Sequence, residues 1–189
     1  MRKNILDLPK NKFHVMLDIE TFGTKPNAAV ISAAAVSFNP HTGEILSEWK
    51  GLFNPDDQVD SHIDFGTVRW WMRQSKEASA HFLDPKKLPQ SIDTLNSLNA
   101  WAGPANKDIA WWGNSPSFDQ IIMEHLYDSF GIKYPWSVFN FLDVRTIKFL
   151  LPDLPPKPEG THDPLVDCRY QISIIHKFYH RYLPIYDKP

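Results

Sequence analysis

Hydrophobic residues fall into short runs at the start of the chain, and turn-forming residues separate these runs. Their length and alternation predict three strands, over Phe13–Leu17, Ala29–Phe38 and Glu44–Phe53. Asn39-Pro40 ends the second run, and a second turn follows the third. Links this short favour an antiparallel meander.

After the third run the pattern alternates between helical and extended periods. The predicted helices cover Val68–Ala80, Ser91–Trp101, Ser115–Phe130, a stretch from an Asp143 cap to Leu150, and Asp163–Leu183. The two further predicted strands cover Asp108–Trp112 and Val138–Leu142. This order predicts an α/β fold with a mixed five-stranded sheet, in which three antiparallel strands come first and helices flank the sheet.

The length of 189 residues predicts a single domain over 1–189 with a sizeable core. Residues 1–12 are a polar lead-in, and residues 151–160 hold four prolines and are predicted to form a loop. Two tryptophan pairs carry structural predictions. A helix cannot bury both Trp70 and Trp71, so one should be in the core and one half-exposed, with a nucleobase platform as the alternative for the exposed ring. Trp111-Trp112 predicts a strand covered on both faces.

Composition narrows the class of protein. Hydrophobic residues make up 42% and charged residues 22%, which are ordinary globular values. The net charge of −2 and the pI near 6.4 argue against a broadly basic nucleic-acid surface, although bound cations can reverse the charge of a local site. The single Cys168 excludes an internal disulfide. The absence of a long apolar run and of a signal-like N-terminus predicts a soluble cytoplasmic protein (in host cytoplasm if phage-encoded) with no membrane partner.

Two carboxylates interrupt the first apolar run. Alternation places Asp18 and Glu20 on one face of the strand, about 6.5–7 Å apart. Acids in such positions repel each other unless a divalent cation lies between them. The alternative is a strand that ends at Leu17 and leaves both acids solvated in a loop.

Three further side chains fall at comparable places. Asp119 follows the fourth predicted strand, in the first turn of the next helix. His162 lies just before the last helix, and Asp167 lies within its first turns. These residues are therefore predicted to meet Asp18 and Glu20 at one end of the sheet.

The segments DIET, NSPSFD and HDPLVD resemble the three motifs of the DEDDh exonucleases, a branch of the DnaQ-like superfamily with an RNase H-like fold. The resemblance spans about residues 13–183, with the motifs in the family's order. The segment TVRWWMRQS is also similar to the branch that contains phage exonuclease A and mycobacterial-type exoribonucleases.

This resemblance implies a metal-dependent 3′-5′ exonuclease that binds single-stranded or 3′-ended nucleic acid and releases nucleoside 5′-monophosphates. Asp18 would bridge two ions, and Glu20 and Asp167 would bind the ion that carries the attacking water. Asp119 would serve the second ion, and His162 would be the general base, a role that an imidazole side chain suits near neutral pH.

The family's substrate contacts fall on Thr21 and Phe22, which would hold the terminal 3′-OH and stack its base. Carboxylate ligands suit Mg²⁺ or Mn²⁺ better than Zn²⁺, and two such ions about 3.5–4 Å apart serve phosphodiester hydrolysis. No histidine pair has the spacing of a zinc hydrolase. DNA is slightly favoured as the substrate. An exoribonuclease and an inactive nucleic-acid-binding module are the alternatives, because no residue is identified that reads the 2′ position.

Overall fold

The computed structural model describes residues 14–74, 88–106, 108–158 and 162–182. The strands are β1 (His14–Thr21), β2 (Val30–Phe38), β3 (Ile45–Leu52), β4 (Ala110–Gly113) and β5 (Phe141–Asp143). The helices are α1 (Phe65–Trp71), α2 (Ser91–Ala102), α3 (Asp119–Ser129), α4 (Val144–Leu150) and α5 (Pro164–Tyr182). Short 3₁₀ turns cover Pro55–Asp57 and Val138–Asn140.

The strands form one five-stranded sheet in the order β3-β2-β1-β4-β5. β2 runs antiparallel to both β1 and β3, whereas β4 runs parallel to both β1 and β5. The predicted mixed sheet, with three antiparallel strands first, is confirmed. β1 is the central strand of the sheet, so residues at its carboxyl end have two strands on either side.

Each face of the sheet carries its own hydrophobic core, because side chains alternate between faces along a strand. Val15, Leu17 and Ile19 pack in the core that includes residues of α2 and α3. Met16 packs in the opposite core, which includes residues of α5. Both cores receive a tryptophan from β4, so the prediction of a strand covered on both faces is confirmed.

Helix α5 lies over β1 and β2. The Oδ1 of Asp163 accepts a hydrogen bond from the Leu165 N–H at 2.9 Å, which confirms the predicted cap. One turn into the helix, the fully buried Cys168 Sγ lies 3.5 Å from the carbonyl oxygen of Ala34 and 3.7 Å from that of Met16. Burial raises the pKa of the Cys168 thiol well above its usual value, and the nearby acids raise it further.

The helix predicted over Val68–Ala80 differs from the observed helix α1 at its start and at its end. The helix begins at Phe65, because the Asp64 carboxylate accepts a hydrogen bond from the Thr67 N–H at 2.8 Å and so caps the first turn. It ends at Trp71, and the N–H groups of Arg73 and Gln74 then bond to carbonyls three residues back. Residues 75–80 lie outside the described residues. Trp71 is 1% exposed and Trp70 41% exposed, which confirms the prediction for this pair.

Other boundaries also differ from the prediction. β5 begins at Phe141 rather than at Val138, because residues 138–140 form a 3₁₀ turn. α3 begins at Asp119 rather than at Ser115, because the first amides of this segment make a turn onto the Ser115 carbonyl. Asp143 caps α4 by accepting hydrogen bonds from two backbone amides, as expected.

The proline-rich residues 151–158 form neither helix nor strand. The predicted lead-in 1–12, Phe13, residues 159–160 and Leu183 lie outside the described residues. Within the described part of the chain, no helix is both long and apolar enough to cross a membrane.

Candidate active site

Asp18 and Glu20 project from the carboxyl-terminal half of β1. The strand runs through both residues to Thr21, with Asp18 opposite Ala34 and Glu20 opposite Ser32 in β2. The alternative in which the strand ends at Leu17 is therefore wrong. Both acids share the strand parity of Met16, which faces α5.

Helix α5 brings the third carboxylate to this face. Asp167 lies in its first turn, and Asp18, Glu20 and Asp167 each offer a carboxylate oxygen within 4.8 Å of the other two. One helical turn later, the Gln171 Nε2 donates a hydrogen bond to the Asp18 Oδ1 at 2.6 Å. The predicted meeting of these three acids is observed.

Asp119 lies on the wall of the same cavity, at the first residue of α3. Its side chain is 3% exposed, and its Oδ2 accepts a hydrogen bond from the Asn114 N–H at 2.8 Å. Gly113, the last residue of β4, makes room for it, since a Cβ there would lie 3.0 Å from the same oxygen. All four predicted acids therefore line one cavity.

The cavity is open to solvent and measures about 470 Å³. Besides the four acids, its wall includes the side chains of Phe118, Arg145, Lys157 and Gln171. Lys157 is the cation in direct contact with an acid, since its Nζ lies 3.3 Å from the Asp167 Oδ1. The site is thus a polar cleft with an excess of negative charge at its floor.

Burial and mutual repulsion hinder ionisation of these acids. Burial is the largest cause that raises the pKa of Asp18, and the three neighbouring carboxylates raise it further. Burial, followed by the charges of Asp167 and Asp119, raises the pKa of Glu20 to about 8, although Lys157 opposes the shift. Burial also raises the pKa of Asp119 to about 7, against the hydrogen bond from Asn114.

This donor set fits a hard divalent cation. It consists of carboxylate oxygens, which Mg²⁺ and Mn²⁺ prefer, and the acids repel one another in a way that a bound cation would relieve. In the part of the chain that the structure describes, this cluster contains no histidine or cysteine, which does not favour a zinc hydrolase.

The predicted general base has a different environment. His162 is half-buried, its backbone has a positive φ of 38°, and its ring centroid lies 4.5 Å from that of Trp70 in an edge-to-face contact. A second edge contact at 6.0 Å joins it to Trp71. Its ring therefore rests on α1, and His162 is not among the residues that line the acidic cavity.

The predicted substrate-binding residues lie where β1 ends. Thr21 is buried, and its Oγ1 donates a hydrogen bond to the Gly23 carbonyl at 2.6 Å, while its own carbonyl accepts one from the Trp71 Nε1 at 3.0 Å. Phe22 is half-buried against Trp71 and Ile31. Both residues directly follow Glu20 in sequence, and both contact Trp71 of α1.

Three polar residues of the site were absent from the sequence-based set. Gln171 had a usable signal, because it lies four positions after Asp167 and so shares its helix face. Lys157 lies in the irregular proline-rich segment, where no periodic pattern indicates the way in which a side chain points. Asn114 precedes Asp119 within the NSPSFD segment, but its role is carried by its backbone, which sequence patterns do not report.

Comparison with known proteins gives consistent results. A family model described as the 3′-5′ exoribonuclease Rv2179c-like domain matches residues 13–179. An exodeoxyribonuclease of Enterobacteria phage T4 is 27% identical to this chain in an alignment of 201 positions, gaps included, that covers 86% of this chain and 87% of the phage protein.

Solved structures share the fold. The nuclease domain of 3′hExo, a DEDDh family member bound to rAMP, superposes with a TM-score of 0.68 at 12% identity, covering 91% of this chain and 94% of that one. Exonuclease I of E. coli in complex with a dT13 oligonucleotide superposes with a TM-score of 0.65 at 18% identity, covering 90% of this chain. This chain spans 42% of the exonuclease I chain.

Proposed function

Since this chain belongs to the Rv2179c-like family of 3′-5′ exoribonuclease domains, we propose that its acidic cavity binds divalent metal ions and hydrolyses the last phosphodiester bond at the 3′ end of a nucleic acid. The products would be a nucleoside 5′-monophosphate and a strand shortened by one nucleotide. The predictions of a DEDDh-type exonuclease, of an RNase H-like fold and of a 3′-5′ exonuclease activity are confirmed at the level of the family and fold.

One observation carries the proposed mechanism. Asp18, Glu20 and Asp167 offer oxygens within 4.8 Å of one another, and Asp18 and Glu20 have raised pKa values. Such an arrangement costs folding free energy unless a cation occupies it. A binding module has no need of that cost, which argues against the inactive alternative.

The metal is proposed as Mg²⁺ or Mn²⁺, with two ions per site. Asp18, Glu20 and Asp167 would hold them together with Asp119, and Gln171 would fix the orientation of the Asp18 carboxylate. When bound, such ions stabilise negative charge on the reacting phosphate and lower the pKa of water. DEDDh exonucleases are metal-dependent, and this acid cluster is the part of the described chain that suits the requirement.

His162 is proposed as the general base. An imidazole has an ordinary pKa near 6.5, which suits removal of a proton from water near neutral pH. For this step the His162 ring has to leave Trp70 and face the cavity. Thr21 and Phe22 are proposed to hold the terminal nucleotide beside the acids.

We propose single-stranded DNA as the preferred substrate and RNA as the alternative. The phage relative, which is similar over most of both chains, is an exodeoxyribonuclease. The family model is described as an exoribonuclease, which is the specific observation in favour of RNA. The single-domain organisation over 1–189 and the cytoplasmic location stay predictions.

The test is a time course on 5′-labelled single-stranded DNA and RNA of matched sequence, with Mg²⁺, Mn²⁺, Zn²⁺ or EDTA. A descending ladder of labelled products that requires Mg²⁺ or Mn²⁺ supports the proposal, and the two initial rates establish sugar preference. Activity in EDTA, or rescue by Zn²⁺ alone, would contradict the proposed metal site. The Asp18→Asn variant controls for contaminating nucleases.

A further inference from the structure

A cluster of positive side chains borders the acidic cavity near Asn114, the residue that follows β4. It consists of Arg145 and Lys148 of α4 and Lys157 of the proline-rich segment, here called the cation cluster. Arg145 and Lys157 line the cavity itself. Burial, and then the charges of Lys157 and Arg145, lower the pKa of Lys148, against the charges of Asp167 and Asp18.

Asn114 joins this cluster to the acids. Its carbonyl accepts a hydrogen bond from the Arg145 guanidinium at 3.2 Å, and its Oδ1 accepts one from the Lys148 Nζ at 3.1 Å. Its backbone N–H donates to Asp119. The cations are therefore held in fixed positions next to the proposed reaction centre.

The positive charge of Arg145 and Lys148 is not neutralised by an ion pair. Among the described residues, neither forms a salt bridge with a carboxylate, whereas Arg169, Lys177 and Arg181 elsewhere on the described surface do. Their hydrogen bonds to Asn114 go to neutral oxygens, so each retains its charge and further donors for an anion. Both side chains can therefore bond to an anionic ligand.

The order of the β-strands indicates the direction in which a bound nucleic-acid strand would run. Thr21 ends β1, and Phe22 packs with Trp71 of α1 and Ile31 of β2. Asn114 follows β4 and bonds to Arg145 and Lys148 of α4, the helix that follows β5. β5 is two strands from β1, which corresponds to about 10 Å. A strand whose last nucleotide rests at Thr21-Phe22 and whose scissile phosphate lies over the acids therefore continues over the cation cluster.

We infer that the cation cluster is a binding site for the phosphodiester groups that lie on the 5′ side of the scissile bond. This inference rests on the proposed function. It implies that the enzyme gains affinity from substrates with more than one phosphate, and that this gain is electrostatic. Arg145 and Lys148 then contribute more to the binding of an oligonucleotide than to the binding of a substrate with a single phosphodiester.

The experiment compares two substrates. One is a single-stranded oligothymidylate, and the other is the p-nitrophenyl ester of thymidine 5′-monophosphate, which has one phosphodiester and no neighbouring phosphate. The variants are Arg145→Met and Lys148→Met, with Lys148→Arg as the charge-conserving variant. Lys133→Met is the matched control, because Lys133 is exposed near the end of α3 and away from the cavity.

For each methionine variant, the KM for the oligonucleotide, taken relative to the KM for the ester, should rise about tenfold at low salt. The slope of log KM against log salt for the oligonucleotide should fall by about 0.7 for each phosphate that the variant no longer neutralises. Lys148→Arg should restore most of the affinity, and Lys133→Met should change neither substrate.

Two results would overturn the inference while leaving the proposed function intact. Equal losses on both substrates would mean that the cations only support Asn114 and hence Asp119, and unchanged KM values for both would mean that the cluster binds no phosphate. If the unmodified protein hydrolyses neither substrate with Mg²⁺ or Mn²⁺, the proposed function itself fails, and this inference fails with it. Melting temperatures of all variants identify any loss caused by unfolding.

Discussion

The Gln171 amide donates a hydrogen bond to the Asp18 carboxylate at 2.6 Å, although the two residues are 153 positions apart in sequence. Gln171 is 2% exposed, and this bond lowers the pKa of Asp18 against burial and three neighbouring acids, which raise it. The amide therefore orients the central carboxylate of the site and favours its charged form.

Replacing Gln171 with Leu should lower activity or metal affinity by about 10–100-fold, because the variant removes the group that orients a metal ligand while it keeps the buried volume. Mg²⁺ titration of the initial rate measures both. Gln120→Leu on α3 is the control, since Gln120 bonds to Glu124 instead. A Gln171→Leu enzyme with unchanged Mg²⁺ dependence would remove Gln171 from this role.

Asp18→Asn should abolish hydrolysis and stabilise the metal-free protein. The substitution removes the central charge from a group of mutually repelling carboxylates, so the melting temperature without metal should rise by about 3 °C. Scanning calorimetry in EDTA, with Asp128→Asn as an exposed control, measures the change. Retained turnover would contradict the assignment of Asp18, and a lower melting temperature would contradict the account of repulsion.

The metal-free protein should lose stability as the pH rises from about 5 to about 8. Glu20 has a pKa of about 8 in the folded chain against an ordinary value near 4.5, so the folded state binds more protons than the unfolded state throughout this interval. The free energy of unfolding therefore falls with increasing pH. Melting temperatures measured in EDTA across this range test the sign, and saturating Mg²⁺ should weaken the slope.

His162→Ala should lower kcat by about 10²–10⁴-fold with little change in the Mg²⁺ concentration needed for half-maximal rate. The variant removes a base and no metal ligand. His180→Ala, at the exposed end of α5, is the matched control. Near-normal rates for His162→Ala across neutral pH would show that another group accepts the proton.

Alternation and turn residues were sufficient to predict the sheet. Every residue of β2 is apolar or small and is buried, which is typical of a strand in the interior of a sheet. The short link between β2 and β3 then favours their antiparallel pairing. Boundaries were harder, because tertiary contacts determine them. Helix α1 is fixed by the cap at Asp64 and by the Trp71 indole bonded to the Thr21 carbonyl, and neither contact has a periodic signature.

The acids of the site were predictable because each falls at a recognisable place: the end of β1, the start of α3 or the start of α5. The groups that contact these acids and shift their pKa values were harder to predict. Lys157 reaches Asp167 from an irregular segment, and Asn114 acts through its backbone as well as its side chain. For His162, sequence predicts its place before α5, but the side-chain rotation that puts it on Trp70 depends on packing alone.

Cys168 has a practical consequence. It is the chain's single cysteine, and its thiol is sealed between α5 and the sheet with a raised pKa, so thiol-directed dyes should leave it unlabelled in the folded protein. A cysteine introduced at an exposed position would then be the one reactive site. A fluorophore for single-molecule recordings of strand shortening can therefore be attached without first removing a native thiol.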